Sequence, residues 1–276
     1  LQQAQRRFQE HGIGLVGVSY DTQAILKDFS TRLGITFPLL ADPKSEIIQR
    51  FGVLNTTATG FTKGMAYPGF IYIGPDKQIR ETFFEKQYAA RYTANNVLTR
   101  LFPELAEFDL RTLAADHLQL QLGQSDVVVG PGSRVTLTLE IVLPPKMHVY
   151  APSVRGYKPI SLAMEQIAEV NIRSPQYPES KVLYLPAIHE QAPIFEGKFK
   201  ILQDVVISYS EGFRKSLQAM PNGTTRPLTL KGTLLYQACD DAVCYLPAEV
   251  PVSWNFRVGP LDVARAREGI QHTEKP

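Results

Sequence analysis

Two periodicities divide the chain. In residues 1–102 apolar positions recur at helical spacing and in short continuous runs. Leu1, Ala4, Gln5 and Phe8 set a weak helical stripe ending near Gly12, and "IGLVGVS" then reads as a buried parallel strand. Asp21 or Thr22 is placed to cap a second helix, in which Ile25, Leu26, Phe29 and Leu33 share a face before Gly34. "TFPLLAD" predicts a strand, "SEIIQRFG" a short helix, "GFIYIGPDKQIRETFF" a hairpin turning at "GPDKQ", and "TANNVLTRLF" a helix stopped by Pro103. This order is α/β with a mixed sheet.

From residue 117 the period becomes two. "HLQLQLG", "RVTLTLEIVL", "LAMEQI", "KFKILQDVVISY", "RPLTLKGTLLYQA" and "VPVSWNFRV" alternate apolar and polar positions, with glycines and prolines between them and no convincing long helix. "VVVGPGSRV" reads as a further hairpin. Short strands at this spacing predict an all-β, immunoglobulin-like sandwich over 117–258. Residues 103–116 read as a linker, and 259–276 as a tail that is a frayed helix or disordered. A chain of 276 residues suits two such domains.

Composition and charge narrow the function. A formal charge of +2 without a basic stripe gives no electrostatic footprint for nucleic acid or anionic lipid. No apolar run reaches the length of a membrane span, and no phosphate-binding glycine loop or nucleophile elbow is found. No cofactor is expected. His11, His117, His148, His189 and His272 are scattered, which argues against a metal site and reads as surface or satisfied core histidines. The chain opens at Leu1 inside an amphipathic pattern, so the expectation is that its natural beginning, with any signal peptide, lies upstream.

The chemistry concentrates in "LLYQACDDAVCYLPAEVPVSW". Cys239 and Cys244 are the two cysteines of the chain, and they enclose "DDAV", a length a hairpin loop accommodates. Opposed hairpin residues lie within disulfide reach. A redox-active pair, a structural staple and two inert thiols all remain open. A loop of about six residues stabilises by roughly 2 kcal/mol, against about 4.7 kcal/mol for a hundred-residue loop, so a staple here is weak. Asp240 and Asp241 argue that the turn meets water and disfavour a strongly activated thiolate. A disulfide attacked by a partner's thiolate, which then passes its electrons on, suits those neighbours better.

Two resemblances follow from quoted residues. "LKGTLLYQACDDAVCYLPAEVPVSW", with Tyr236 in its "YQAC" start and Tyr245 in its "CYLP" end, resembles the redox hairpin of the amino-terminal periplasmic domain of the DsbD thiol:disulfide interchange protein, with a spacer shorter by a residue. The likeness extends over 117–258 and includes "LPPKMHVYAPS". It implies an immunoglobulin-like fold whose cysteine pair is shielded by a cap loop, for which "HEQAPIFEGKF" is the candidate, with Phe195 as cap and Tyr150 as a cysteine neighbour; for both residues plain core packing is the competing reading. "GIGLVGVSYD", "ITFPLLADPKSEIIQRFGVLN" and "AYPGFIYIGPDKQI" together resemble the redoxin family, the AhpC/TSA peroxiredoxins and their thioredoxin-fold relatives, over 1–102. That resemblance implies an incomplete thioredoxin-like domain and a cis bond before Pro68 beside the family's active site. No cysteine occurs from 1 to 238, so the family's catalytic cysteine is expected upstream of Leu1, or else the domain is an inactive scaffold.

The combined expectation is a two-domain thiol-disulfide oxidoreductase of an extracytoplasmic compartment, the bacterial periplasm by resemblance. Cys239 and Cys244 would exchange electrons with a thioredoxin-fold partner or with the chain's own redoxin domain, and so support peroxide reduction. The alternative is a non-catalytic binding scaffold with a structural disulfide.

Overall fold

The computed structural model describes residues 1–85, 89–102, 108–185, 190–221 and 223–272. They fall into two compact units, Leu1–Leu98 with the chain from Asp262 onward, and Thr99–Leu261. Among the described residues no helix is long and apolar enough to cross a membrane.

The first unit begins with α1 (Gln5–Glu10), β1 (Gly17–Ser19), α2 (Gln23–Leu33), β2 (Leu39–Ala41) and α3 (Glu46–Arg50). Thr22 caps α2 by accepting from the Ile25 amide at 3.4 Å, and Gly34 ends it at φ 62°, where glycine carries no Cβ penalty. Of the four apolar residues on the α2 stripe, Leu26 is buried, while Phe29 and Leu33 are exposed. β1 and β2 pair in parallel. β3 (Gly69–Ile73) and β4 (Ile79–Phe84) form the expected hairpin, closed by the Gly74 amide on the Gln78 carbonyl at 2.8 Å. β5 (Arg91–Tyr92) and α4 (Ala94–Leu101) follow. The β1–β2 and β3–β4 pairs are separate two-stranded sheets, not the single mixed sheet expected.

Two further expectations for this unit are corrected. The Tyr67–Pro68 bond is trans, as is every described peptide bond. The Tyr67 amide donates to the Val53 carbonyl at 2.8 Å, so the chain enters β3 already extended, and the trans isomer is the ordinary one for X–Pro. Residues 259–272 contain no helix. They are tied to the unit by polar contacts instead: Asp262 to Arg32 at 2.7 Å, Arg267 to Asp28 at 2.6 Å, and His272 to Asp21 at 2.7 Å while stacked on Tyr20.

The second unit is β-rich. It comprises β6 (Phe108–Leu113), β7 (Gln119–Gln124), β8 (Val128–Val129), β9 (Ser133–Val142), β10 (His148–Tyr150), β11 (Ser161–Met164), β12 (Val170–Ile172), β13 (Lys181–Leu185), β14 (Glu190–Glu196), β15 (Lys198–Ile207), α5 (Glu211–Gln218), β16 (Arg226–Tyr236), β17 (Ala238–Cys239) and β18 (Ala248–Val258). The strands lie in three sheets, ordered β12-β15-β9-β7-β6, β11-β16-β18-β8 and β13-β14-β10-β17. Alternate residues of each enter one core, such as Leu137, Leu139 and Ile141 of β9 against Leu230 and Leu234 of β16. Trp254 of β18 is wholly buried there and donates its indole N–H to the Gly123 carbonyl at 2.9 Å.

A buried charge sits at one side of that core. Asp204 of β15, fully enclosed, takes Arg134 Nη2 at 2.7 Å, Thr136 Oγ1 at 2.7 Å and the Arg100 guanidinium. Gly197 at φ 63° moves the chain from β14 in one sheet to β15 in another, a backbone conformation a β-carbon would strain.

Several elements depart from the pattern reading. The expected linker 103–116 contains β6, which pairs with β7; residues 103–107 lie outside the described set. "VVVGPGSRV" is not a hairpin, because β8 pairs in parallel with β18 while β9 pairs with β7 and β15. Its turn passes the chain between sheets. α5 is a helix the alternation did not announce.

Candidate functional site

The site grows from the β16–β18 hairpin. Their ladder ends at the Tyr236–Ala248 pair, and beyond it residues 237–247 leave that sheet. The tip crosses to the third sheet, where β17 pairs with β10, setting Ala238 opposite Val149 and Cys239 opposite His148. Within the tip, Cys239 faces Cys244 across an antiparallel bridge, and the two are disulfide-bonded with Cα atoms 4.0 Å apart. The cysteines thus lie on opposite sides of a tight turn, as the spacing predicts.

Side chains hold the tip in shape. The Asp240 carboxylate accepts from the Ala242 and Val243 amides at 2.7 and 2.8 Å and from the Tyr245 hydroxyl at 2.9 Å. Those donors favour its charged form, so the carboxyl is held below the usual carboxylate range, with the Ala242 amide the largest cause. The same hydrogen bond raises the Tyr245 phenol. Tyr245 stacks on His117 with ring centroids 3.9 Å apart, and Gln237 Nε2 donates to the Tyr245 carbonyl at 2.8 Å. Tyr236, buried in the main core, donates its hydroxyl to the Asp116 carbonyl at 2.8 Å. Tyr236, Asp240 and Tyr245 therefore shape the turn, and Asp241 is exposed at its end.

The two sulfurs differ in environment. Cys239 is 1% exposed and belongs to a small cluster with Tyr150, Ala192 and Ile194, against which Val154, Tyr157 and Leu183 pack. Tyr157 stacks on Tyr150 at 4.4 Å. Cys244 is exposed. Its sequence neighbours Val243 and Leu246 are 52% and 89% exposed, so apolar surface lies beside the exposed cysteine of the pair.

Tyr150 is thus a cysteine neighbour. Phe195 is not a cap. It lies in β14, opposite Val149, and stacks on Phe199 in the main core at 4.8 Å. Successive strand residues point to opposite faces, so Ile194, and not Phe195, shares the face of Cys239. The expected cap loop is strand β14 from Glu190 on, and His189 lies outside the described residues. Pro68 belongs to the first unit, before β3.

Residue reading missed Val154, Tyr157 and His148. His148 is buried, directly opposite Cys239, and its Nε2 has no hydrogen-bond partner among the described residues. Burial holds its imidazole below the ordinary range, against the opposite pull of Asp241, Glu196 and Asp240. A signal was present: His148 stands two residues before Tyr150 in an alternating run and shares its face.

Comparison with known proteins assigns the two segments. Residues 1–82 match the profile of the AhpC/TSA family, and residues 119–253 that of thiol:disulfide interchange protein DsbD, N-terminal. No curated protein sequence matches. Among solved structures, the N-terminal periplasmic domain of ScsB from Proteus mirabilis shares 16% identity over 57% of this chain and 54% of that one, with a TM-score of 0.34. The chain thus spans about half of that structure's length. The Neisseria meningitidis DsbD N-terminal domain in its reduced form shares 11% identity over 44% of this chain and 80% of that one, with a TM-score of 0.28. The disulfide hairpin lies inside the second matched segment, and the chain joins a segment that matches the AhpC/TSA family to one that matches the DsbD N-terminal family.

Proposed function

We propose that the Cys239–Cys244 disulfide relays electrons by thiol-disulfide exchange with a thioredoxin-fold partner in an extracytoplasmic compartment. One observation carries this reading: the bond joins an exposed cysteine, with exposed apolar residues beside it in the turn, to a buried one. A partner's thiolate reaches Cys244, forms a mixed disulfide there, and the electron pair of the old bond leaves with the Cys239 sulfur. A second partner thiol then attacks the partner's own sulfur, freeing Cys244. The partner dithiol ends as a disulfide and the hairpin as a dithiol; in reverse the hairpin is the donor.

Both family matches and the presence of a disulfide support an oxidising compartment. They also support a thioredoxin-like first unit and an immunoglobulin-like second one. Residues 1–238 contain no cysteine, so neither a mixed disulfide nor a peroxide-derived sulfenic acid forms on them. The sulfur that meets Cys244 belongs to another protein or to a segment outside these 276 residues. Any support for peroxide reduction runs through that sulfur.

A redox titration tests the function. The hairpin disulfide is expected to equilibrate with glutathione or dithiothreitol at a potential less negative than the roughly −300 mV of structural bridges. Resistance across the glutathione range, with a large loss of thermal stability in Cys239→Ala, would instead identify a staple that pins the tip to β10.

The exposed apolar residues of the turn give a second expectation. Leu246→Glu places a charge where a partner must desolvate the surface, so exchange with a thioredoxin-fold dithiol should slow about tenfold. The rate with dithiothreitol, which needs no docking surface, should not change. Stopped-flow measurement with both reductants checks the difference.

A further inference from the structure

Across the sheet that carries the disulfide, Cys239 of β17, His148 of β10 and Glu196 of β14 stand in one row, each directly opposite the next. Directly opposed residues of antiparallel strands carry their Cβ atoms on the same face, about 4.5–5.5 Å apart. The order is thiol, imidazole, carboxylate. A nucleophile, its base and the group that charges the base are ordered the same way wherever an imidazole activates sulfur or oxygen. The imidazole is 5% exposed and its Nε2 has no hydrogen-bond partner among the described residues, an expensive arrangement for a histidine that only fills space.

We propose that His148 is the proton carrier of Cys239, with Glu196 as the carboxylate that tunes it. The proposal rests on the exchange reading above. When the hairpin dithiol donates electrons, Cys244 first holds the mixed disulfide. His148 then takes the proton of the Cys239 thiol, and the Cys239 sulfur attacks the Cys244 sulfur. The Cys239–Cys244 bond forms, the bond from Cys244 to the partner breaks, and its electron pair leaves on the partner's sulfur. The proton stays on the imidazole until solvent removes it. In the opposite direction the imidazolium returns a proton to Cys239 as that sulfur leaves. Cys239 is buried, so it cannot draw on bulk water as freely as Cys244 does.

The surroundings suit a base that changes charge. Glu196 is opposite His148 on β14 and is itself paired with Lys181 of β13 at 2.6 Å. Asp240 and Asp241 approach from the turn, and Tyr150 meets the imidazole edge-on from its own strand, centroids 5.4 Å apart. The Tyr150 phenol is raised by burial and stays protonated through neutral pH. Burial favours the neutral imidazole and the three carboxylates favour the imidazolium.

Ring closure can be watched directly in the full chain. The reduced protein is mixed with 5,5′-dithiobis(2-nitrobenzoate); the first thionitrobenzoate released reports attack by Cys244, and the second reports closure by Cys239. In the wild type the rate of second release should rise with pH through the ionisation of the His148 imidazole, which burial holds below the ordinary histidine range. His148→Gln should remove that ionisation and slow the second release at neutral pH by at least about tenfold, leaving the first release unchanged. Glu196→Gln should move the ionisation to lower pH, because it withdraws a charge that stabilises the imidazolium. An unchanged second release in a folded His148→Gln protein would overturn the proposal while leaving the exchange reading intact. A wild type whose disulfide dithiothreitol cannot open in the folded state would overturn both. Should His148→Gln fail to fold, the imidazole titration of the wild type followed by NMR decides: different midpoints in the disulfide and dithiol forms support the coupling, and identical curves overturn it.

Discussion

Cys239→Ser is expected to leave a protein whose remaining thiol, Cys244, is labelled by 5,5′-dithiobis(2-nitrobenzoate) at the rate of an open surface thiol. Cys244→Ser should leave a thiol that is labelled at least about a hundredfold more slowly, through local opening of the tip. The two cysteines lie only five positions apart in one turn, so the contrast comes from where the turn places each of them. Cys239 is enclosed by Tyr150, Ala192 and Ile194, with Val154 and Tyr157 over them, whereas Cys244 lies on the solvent side of the turn. On the proposed exchange, the same asymmetry predicts where a partner would be held. With a thioredoxin-fold protein carrying a single active-site cysteine, Cys239→Ser should accumulate a covalent complex on a non-reducing gel, and Cys244→Ser should not. Equal labelling of the two variants in the native state would contradict the burial of Cys239.

Asp204→Ala is expected to destabilise the second unit by about 3–5 kcal/mol, the usual consequence of removing one partner from a buried ion pair. The carboxylate has zero exposure and takes Arg134, Thr136 and Arg100. Alanine would remove the carboxylate that both guanidinium groups meet. For a unit of this size the loss corresponds to a fall in Tm of roughly 10 °C. Asp204→Asn, which keeps the shape and some hydrogen bonds, should lose less. Denaturant unfolding of the two variants beside the wild type gives the measurement, and a change below about 1 kcal/mol for alanine would show that the charge costs as much to bury as its partners return.

How much of this was legible follows from the range of each interaction. The alternation in "RVTLTLEIVL" and "VPVSWNFRV" marks β9 and β18 because strand periodicity is local. The cysteine spacing likewise announced a closed turn. Phe195 was misplaced because sequence gives the parity of a strand but not which parity faces the cysteines; that is set when β17 docks on β10, some ninety residues away in the chain. His148 and Glu196 were hidden for the same reason, since their row exists only after three distant segments pair. β6 escaped notice because Arg111 and Thr112 make it look polar, although it lies at the sheet edge where polar residues belong. Asp204 breaks the alternation of β15 where both faces become buried, and only the arrival of Arg100 and Arg134 explains it.

Trp254 is the one tryptophan of the chain and lies wholly inside the second unit. Indole emission excited selectively at the red edge therefore comes from a single dry site and moves to longer wavelength when water enters that core. It is blind to melting of the first unit. A far-ultraviolet circular dichroism curve sees both, so any gap between the two transitions in denaturant measures how far the redoxin-like unit and the disulfide-bearing unit unfold as separate cooperative bodies, without a label or a truncation.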